Sequence, residues 1–218
     1  MNAHNERTHA SALRVLFPVA VAITVLSLLT GCAEHKEEKL PVFGEKDITE
    51  TDTIFHTIGQ FSLVDQDSSV VTRETLQGKI YVAEFFFTSC RTICPIMKTQ
   101  MVRVYESIED DPEILLVSHT IDPEHDTVAL LHDYAERLGV KSAKWRFLTG
   151  DKDSIYYLAQ TSYFATAMED ETASDGFIHS GAFLLIDKKG RIRGKYDGTK
   201  EEEVNQLLRD IKLLKKEG

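Results

Sequence analysis

Cys90 and Cys94 stand with three residues between them in Thr88-Ser89-Cys90-Arg91-Thr92-Ile93-Cys94-Pro95, and two thiols so placed can do two kinds of chemistry. As thiolates they bind soft metal ions or attack disulfides. The apolar run Ile80 to Phe87 ahead of them reads as a buried strand. Pro95 opens a helical pattern with Met97, Met101, Val104, Tyr105 and Ile108 on one side, and proline suits the first helical position because its missing N–H costs nothing there. The partial positive charge of a helix N-terminus favours thiolate. Inert core thiols would need neither the turn nor the helix end. A purely structural disulfide would close a loop of only a few residues and remove little unfolded-state entropy.

What precedes this turn sets the compartment in which the thiols are expected to act. Arg7 and Arg14 lead an apolar segment from Val15 to Leu29, short for a membrane span and shaped like a secretory hydrophobic region. It ends in Leu29-Thr30-Gly31-Cys32, which resembles the lipobox of bacterial lipoproteins and implies cleavage before Cys32 and a lipid on its sulfur. An uncleaved N-terminal anchor is the alternative. Either way the domain is expected to be extracytoplasmic and held to a bacterial cell membrane. With Cys32 lipidated, Cys90 and Cys94 are the thiols that remain of three cysteines. Outside the cytoplasm such a pair is oxidised unless something reduces it or a metal holds it.

The formal net charge is −10, and residues 1–31 carry two arginines against Glu6, so the rest is more acidic still. That argues against a nucleic-acid-binding surface and suits a soluble domain or one that meets a basic partner. The hydrophobic content of 42% is ample for one packed core. Residues 1–31 read as a lipoprotein signal peptide, 32–53 as a charged, aperiodic tether, and 54–218 as the domain.

Along the domain, Ile54 to Val64 alternates like a strand, Asp65 to Ser69 turns, and Val70-Val71 returns as a hairpin. A second buried strand lies at Ile114 to Val117. Asp126 or Thr127 can cap a helix over Val128 to Leu138 that Gly139 ends. Trp145 to Leu148 is a short strand and Asp151 to Ala159 a helix. The polar, acidic stretch Met168 to Gly176 precedes a hairpin of Gly181–Asp187 and Arg191–Tyr196, and Glu201 to Lys215 closes the chain as an amphipathic helix. This order predicts an α/β fold: a central mixed sheet with helices on both faces and an added N-terminal hairpin, the outline of a thioredoxin-like domain.

In such a sheet the start of the strand at Gly181 lies opposite the two-cysteine turn. Thioredoxins carry a cis-proline there. The prolines of this chain are Pro18, Pro41, Pro95, Pro112 and Pro123, so none is available, and His179 occupies the neighbourhood. A histidine alone is more often a satisfied structural residue, but two thiolates and an imidazole make a sulfur-and-nitrogen set suited to copper. Zinc takes the same donors, and a closed structural zinc site would want a fourth, for which His119, His125 and His132 are candidates by composition. Met97 and Met101 are thioether donors in principle, though methionine at helical spacing is more often core filler.

The segments Phe87-Thr88-Ser89-Cys90, Cys94-Pro95, Asp122-Pro123-Glu124-His125-Asp126-Thr127, Trp145 to Gly150 and His179-Ser180 together resemble the Sco/SenC family of copper-binding, thioredoxin-like proteins, over nearly the whole chain from Ile54 onward. The resemblance implies copper held by Cys90, Cys94 and His179. It also implies a role in building the copper centre of cytochrome c oxidase, by handing metal to its copper-receiving subunit or another cuproprotein, or by reducing the recipient's cysteines. The chain departs from the family at Arg91, where proline commonly follows the first cysteine, and at Gly176-Phe177-Ile178, where an acid often neighbours the histidine. Arg91 can stabilise a thiolate and so tilt the site toward redox work. Asp122 and Asp126 match a family motif, with loop turn and helix cap as their plainer roles.

Three functions follow. The first is a membrane-tethered copper chaperone. The second is a thiol–disulfide oxidoreductase in which Cys90 attacks and Cys94 resolves. The third is a thiol peroxidase, which needs one accessible low-pKa cysteine. The three-residue spacer is wider than that of most disulfide exchangers, and His179 has no role in plain exchange, which favours the first.

Overall fold

The computed structural model describes residues 39–170, 172–173 and 176–217. The described residues form one main sheet and two short ribbons. A short ribbon pairs β1 (Lys46–Ile48) with β2 (Thr53–Phe55). The main sheet comprises β3 (Ser62–Asp65), β4 (Val70–Thr72), β5 (Ile80–Phe86), β6 (Ile114–Thr120), β7 (Trp145–Thr149), β10 (Ala182–Ile186) and β11 (Ile192–Asp197), in the order β11-β10-β5-β6-β7-β3-β4. The pairs β5–β6 and β6–β7 are parallel and the outer pairs antiparallel. Every residue of β5 and β6 is buried, which is why both read as apolar runs rather than alternations.

Helices cover both faces. Besides the single turn α1 (Arg73–Leu76) they are α2 (Cys94–Ile108), α3 (Val128–Leu138), α4 (Lys152–Thr161) and α5 (Glu201–Lys216). On one face Phe86 and Phe147 pack against Tyr134 of α3, and Trp145 against Tyr105 of α2. Helix α5 lies against α2 and β11. On the other face Phe85 packs against Tyr163, just past α4, whose hydroxyl meets that of Tyr81 at 3.1 Å. Thr127 caps α3 through the Leu130 N–H, and Gly139 ends it at φ +68°, a left-handed conformation that an L side chain resists.

Two boundaries differ from the expectation. The single strand expected over Ile54 to Val64 divides. Its start pairs with β1 and its end enters the main sheet as β3, while between them Ile58 is buried and its N–H bonds the Gly190 carbonyl at 2.8 Å. The tether expected over residues 32–53 is seated against the domain at Leu40 to Phe43 and supplies the exposed strand β1 further on. The Leu40 N–H donates to Glu217 Oε1 at 2.7 Å, and Arg193 donates to the Leu40 and Pro41 carbonyls at 2.5 and 2.9 Å. The Phe43 N–H donates to the Ile192 carbonyl. Backbone groups do this work, so the segment needs no apolar periodicity. The expected signal peptide and Cys32 lie outside the described residues.

A second ribbon pairs β8 (Ala167–Glu169) with β9 (Phe177–His179), so the stretch read only as polar begins inside its first strand. Among the described residues no helix is long and apolar enough to cross a membrane.

Candidate metal centre

Strand β5 delivers the first thiol. It ends at Phe86, and the Cys90 N–H returns to the Phe87 carbonyl at 3.3 Å to form the turn. Cys94 is the first residue of α2 and Pro95 the second, one place later than the sequence suggested for the proline. Ile93 at the cap position makes no side-chain bond to the helix end, and the first turn holds no acid, so the positive end of α2 is left to the thiols.

His179 arrives from the far side of the chain at the end of β9. The ribbon fixes it by the pairing of Ala167 with His179 and by the Ser180 N–H, which donates to the Thr166 carbonyl at 3.0 Å. The ring of Phe87, just past β5, packs on β9, 5.0 Å from Phe177 and edge-on to His179 at 5.7 Å. His179 Nδ1 lies 3.3 Å from the Ser180 carbonyl, and the tautomer that donates there leaves the Nε2 lone pair for a metal. Nε2 is 3.3 Å from Cys94 Sγ.

Cys90 Sγ, Cys94 Sγ and the His179 nitrogen all lie within 4.8 Å of one another, and among the described residues they are the single group of three or more such donors. An ion about 2.0–2.3 Å from each donor would span nearly that separation, so the set closes on a metal with little movement. Both cysteines are free thiols, each 8% exposed.

The protonation states suit a ligand set. Burial lowers the His179 pKa, against the opposing pull of the Ser180 and Phe85 carbonyls, and the ring is held neutral. Burial alone would push the Cys90 thiol up, but hydrogen bonds from Thr92 and Cys94 together outweigh it and the net shift is downward. Burial pushes Cys94 well above the ordinary thiol range, and the neighbouring Cys90 adds to it.

The other candidates stay apart. Met97 and Met101 are fully buried in the core. His119 is buried on β6 between Phe85 and Tyr163, and His132 faces Asp67 and Glu136 on the surface. Neither these nor His125 joins the group. Sequence reasoning missed one buried acid, Glu84, and left another, Asp126, between a helix cap and a direct role. Glu84 accepts the Ser118 hydroxyl at 2.6 Å, and burial raises its pKa to about 7. Asp126 is not the helix cap but turns inward. An acid within an apolar strand run was the available signal for the first. The second had none beyond its motif.

The family model described as SCO1/SenC matches residues 49–215. The chain belongs to the SCO1/SenC family. The SCO1 protein homolog of Bacillus subtilis is 29% identical over 163 residues, 74% of this chain and 84% of its own. Among solved members, BsSco, of the Sco family of cytochrome c oxidase assembly proteins and carrying a disulfide switch, aligns at TM-score 0.65 and 28% identity over 73% of this chain and 93% of its own. Arabidopsis thaliana ScoI with copper bound aligns at TM-score 0.60 and 26% identity, over 71% and 97%. The thioredoxin-like sheet anticipated from the element order is thus the fold of this family.

Proposed function

We propose that this SCO1/SenC protein binds copper through Cys90, Cys94 and His179 and passes it to a cuproprotein, the copper-receiving subunit of cytochrome c oxidase being the favoured recipient. The observation that carries the reading is the convergence of two thiols and one neutral imidazole, with Cys94 Sγ 3.3 Å from His179 Nε2. Sulfur and nitrogen donors select copper or zinc over hard cations, and a three-donor set leaves room for an acceptor's ligand to enter during transfer. Copper bound in a relative of the same fold supports copper over zinc. In this reading copper is cargo. The leader ending in Leu29-Thr30-Gly31-Cys32 supports a lipid on Cys32 and an extracytoplasmic place on the membrane. Radiolabelled fatty acid should mark the protein and fail to mark Cys32→Ala.

Copper titration of the purified protein tests the site. Wild type is expected to bind one ion tightly and His179→Ala to lose tight binding. Equal titration of the two sinks the chaperone reading.

The inequality of the thiols supports a second reading, reduction of a recipient's disulfide. The Cys90 thiolate attacks one sulfur of that disulfide, forming a mixed disulfide and releasing one recipient thiolate. Cys94, once deprotonated, attacks Cys90 Sγ and releases the second. The recipient gains two electrons and the chain is left with a Cys90–Cys94 disulfide. Reduction of a test disulfide should survive His179→Ala if this activity is independent of the metal.

A further inference from the structure

The loop Asp122 to Thr127 was expected to supply a turn and a helix cap. Thr127 is the cap, which leaves Asp126 free for another role. Its side chain is fully buried and points back at the turn that carries Cys90. Oδ2 accepts the Thr88 N–H at 3.1 Å and the Thr120 hydroxyl at 2.5 Å, and Oδ1 accepts the Thr88 hydroxyl. Thr88 lies inside the Phe87–Cys90 turn. Thr120 ends β6, and its hydroxyl also accepts the Asp122 N–H at 3.0 Å. The carboxylate therefore ties the cysteine turn to the end of the neighbouring strand, at the last rung of the β5–β6 ladder.

Burying a carboxylate is costly unless donors surround it. A carboxylate can only accept, and its hydrogen bonds are shorter and stronger than neutral ones. Three donors on one buried anion make a stiff brace.

We propose that Asp126 is a positioning residue for the metal centre. By fixing Thr88 it holds Cys90 Sγ within reach of Cys94 and His179. This rests on the copper reading for its function, but the brace itself can be tested without metal.

The test compares Asp126→Ala and Asp126→Asn with wild type by Cu(I) competition titration, by the thiolate-to-Cu(II) absorption band, and by the rate of Cys90 alkylation with iodoacetamide in metal-free protein. Asp126→Ala should weaken copper binding about 10- to 100-fold, as loss of a group that orients a ligand does elsewhere. It should also shift the band and speed Cys90 alkylation several-fold. Asp126→Asn should fall between, because its amide oxygen can still accept the Thr88 N–H. Thr127→Ala, which removes the adjacent cap, controls for loss of stability alone and should move none of the three readouts. Should Asp126→Ala fail to fold, Asp126→Asn and Thr88→Val, which removes one of the three bonds, carry the comparison. The proposal is overturned if folded variants keep wild-type affinity, band and alkylation rate, or if Thr127→Ala changes them equally. If wild type binds no copper, the chaperone reading fails by itself, and the alkylation rates alone decide whether the brace exists.

Discussion

Burial opposes ionisation at both thiols, yet only Cys90 has enough hydrogen bonds, from Thr92 and Cys94, to reverse it. The thiol that titrates lower reacts first. Limited alkylation of metal-free protein at neutral pH should therefore mark Cys90 before Cys94 in peptide mass spectra, and Thr92→Val should slow the reaction at Cys90. Marking of Cys94 first would contradict this. The residues of the centre were legible to different degrees. Cys90 and Cys94 announce themselves by type and spacing. His179 lies 85 positions beyond Cys94 and could be placed only through the expected sheet. Asp126 was named by its motif but its role could not be read, because a carboxylate next to a helix start looks like a cap until the chain shows Thr127 in that role.

At the level of elements, one cation gathers several of the contacts that seat the N-terminal segment. Arg193 is 4% exposed, and it meets Asp187 at 3.3 Å, Glu217 at 2.6 Å and the carbonyls of Leu40 and Pro41. Removing one partner of a buried ion pair strands the other and costs about 3–5 kcal/mol. Arg193→Ala should lower the unfolding free energy extrapolated from urea titration by an amount in that range or just below it, since Glu217 retains some solvent contact. The Phe43 amide should also lose protection from hydrogen exchange. An unchanged midpoint would show that the clamp contributes little. Gly139→Ala offers a smaller check, with a cost of about 1–2 kcal/mol for forcing a side chain to φ +68°. Buried strands and capped helices were readable because apolar runs and turn residues mark them. The β1–β2 and β8–β9 ribbons were not, because each strand is three residues long and too short to establish a period.

Across the whole molecule, two buried titrating groups on adjacent strands oppose each other. Burial raises Glu84 from 4.5 to about 7, so the folded state binds its proton more tightly than the unfolded chain does. That contribution is complete below about pH 4.5 and is lost as pH rises through 7. Burial lowers His119 from 6.5 to about 4, its Nδ1 meeting the Glu84 carbonyl at 3.4 Å and its Nε2 finding no hydrogen-bond partner among the described residues. Here the unfolded chain takes the proton first, so the contribution is present above about pH 6.5 and is lost as pH falls toward 4. Between about pH 4.5 and 6.5 the two slopes have opposite signs, each up to about 1.4 kcal/mol per pH unit. Their sum in wild type is small, and neither residue reveals itself there. Single substitutions should uncover each. Relative to wild type, Glu84→Gln should gain stability as pH rises through the window, because the histidine slope then stands alone. His119→Phe, which fills the same aromatic surroundings, should lose stability over the same interval. Urea midpoints at three pH values inside the window measure both. Parallel curves for both variants and wild type would mean that neither group changes its proton affinity on folding. A shift in only one variant would assign the whole effect to that face of the sheet. Because Glu84 and His119 lie on β5 and β6, the strands that end at the cysteine turn and at Thr120, their balance bears on how firmly the scaffold holds the metal centre across the pH range where the protein folds.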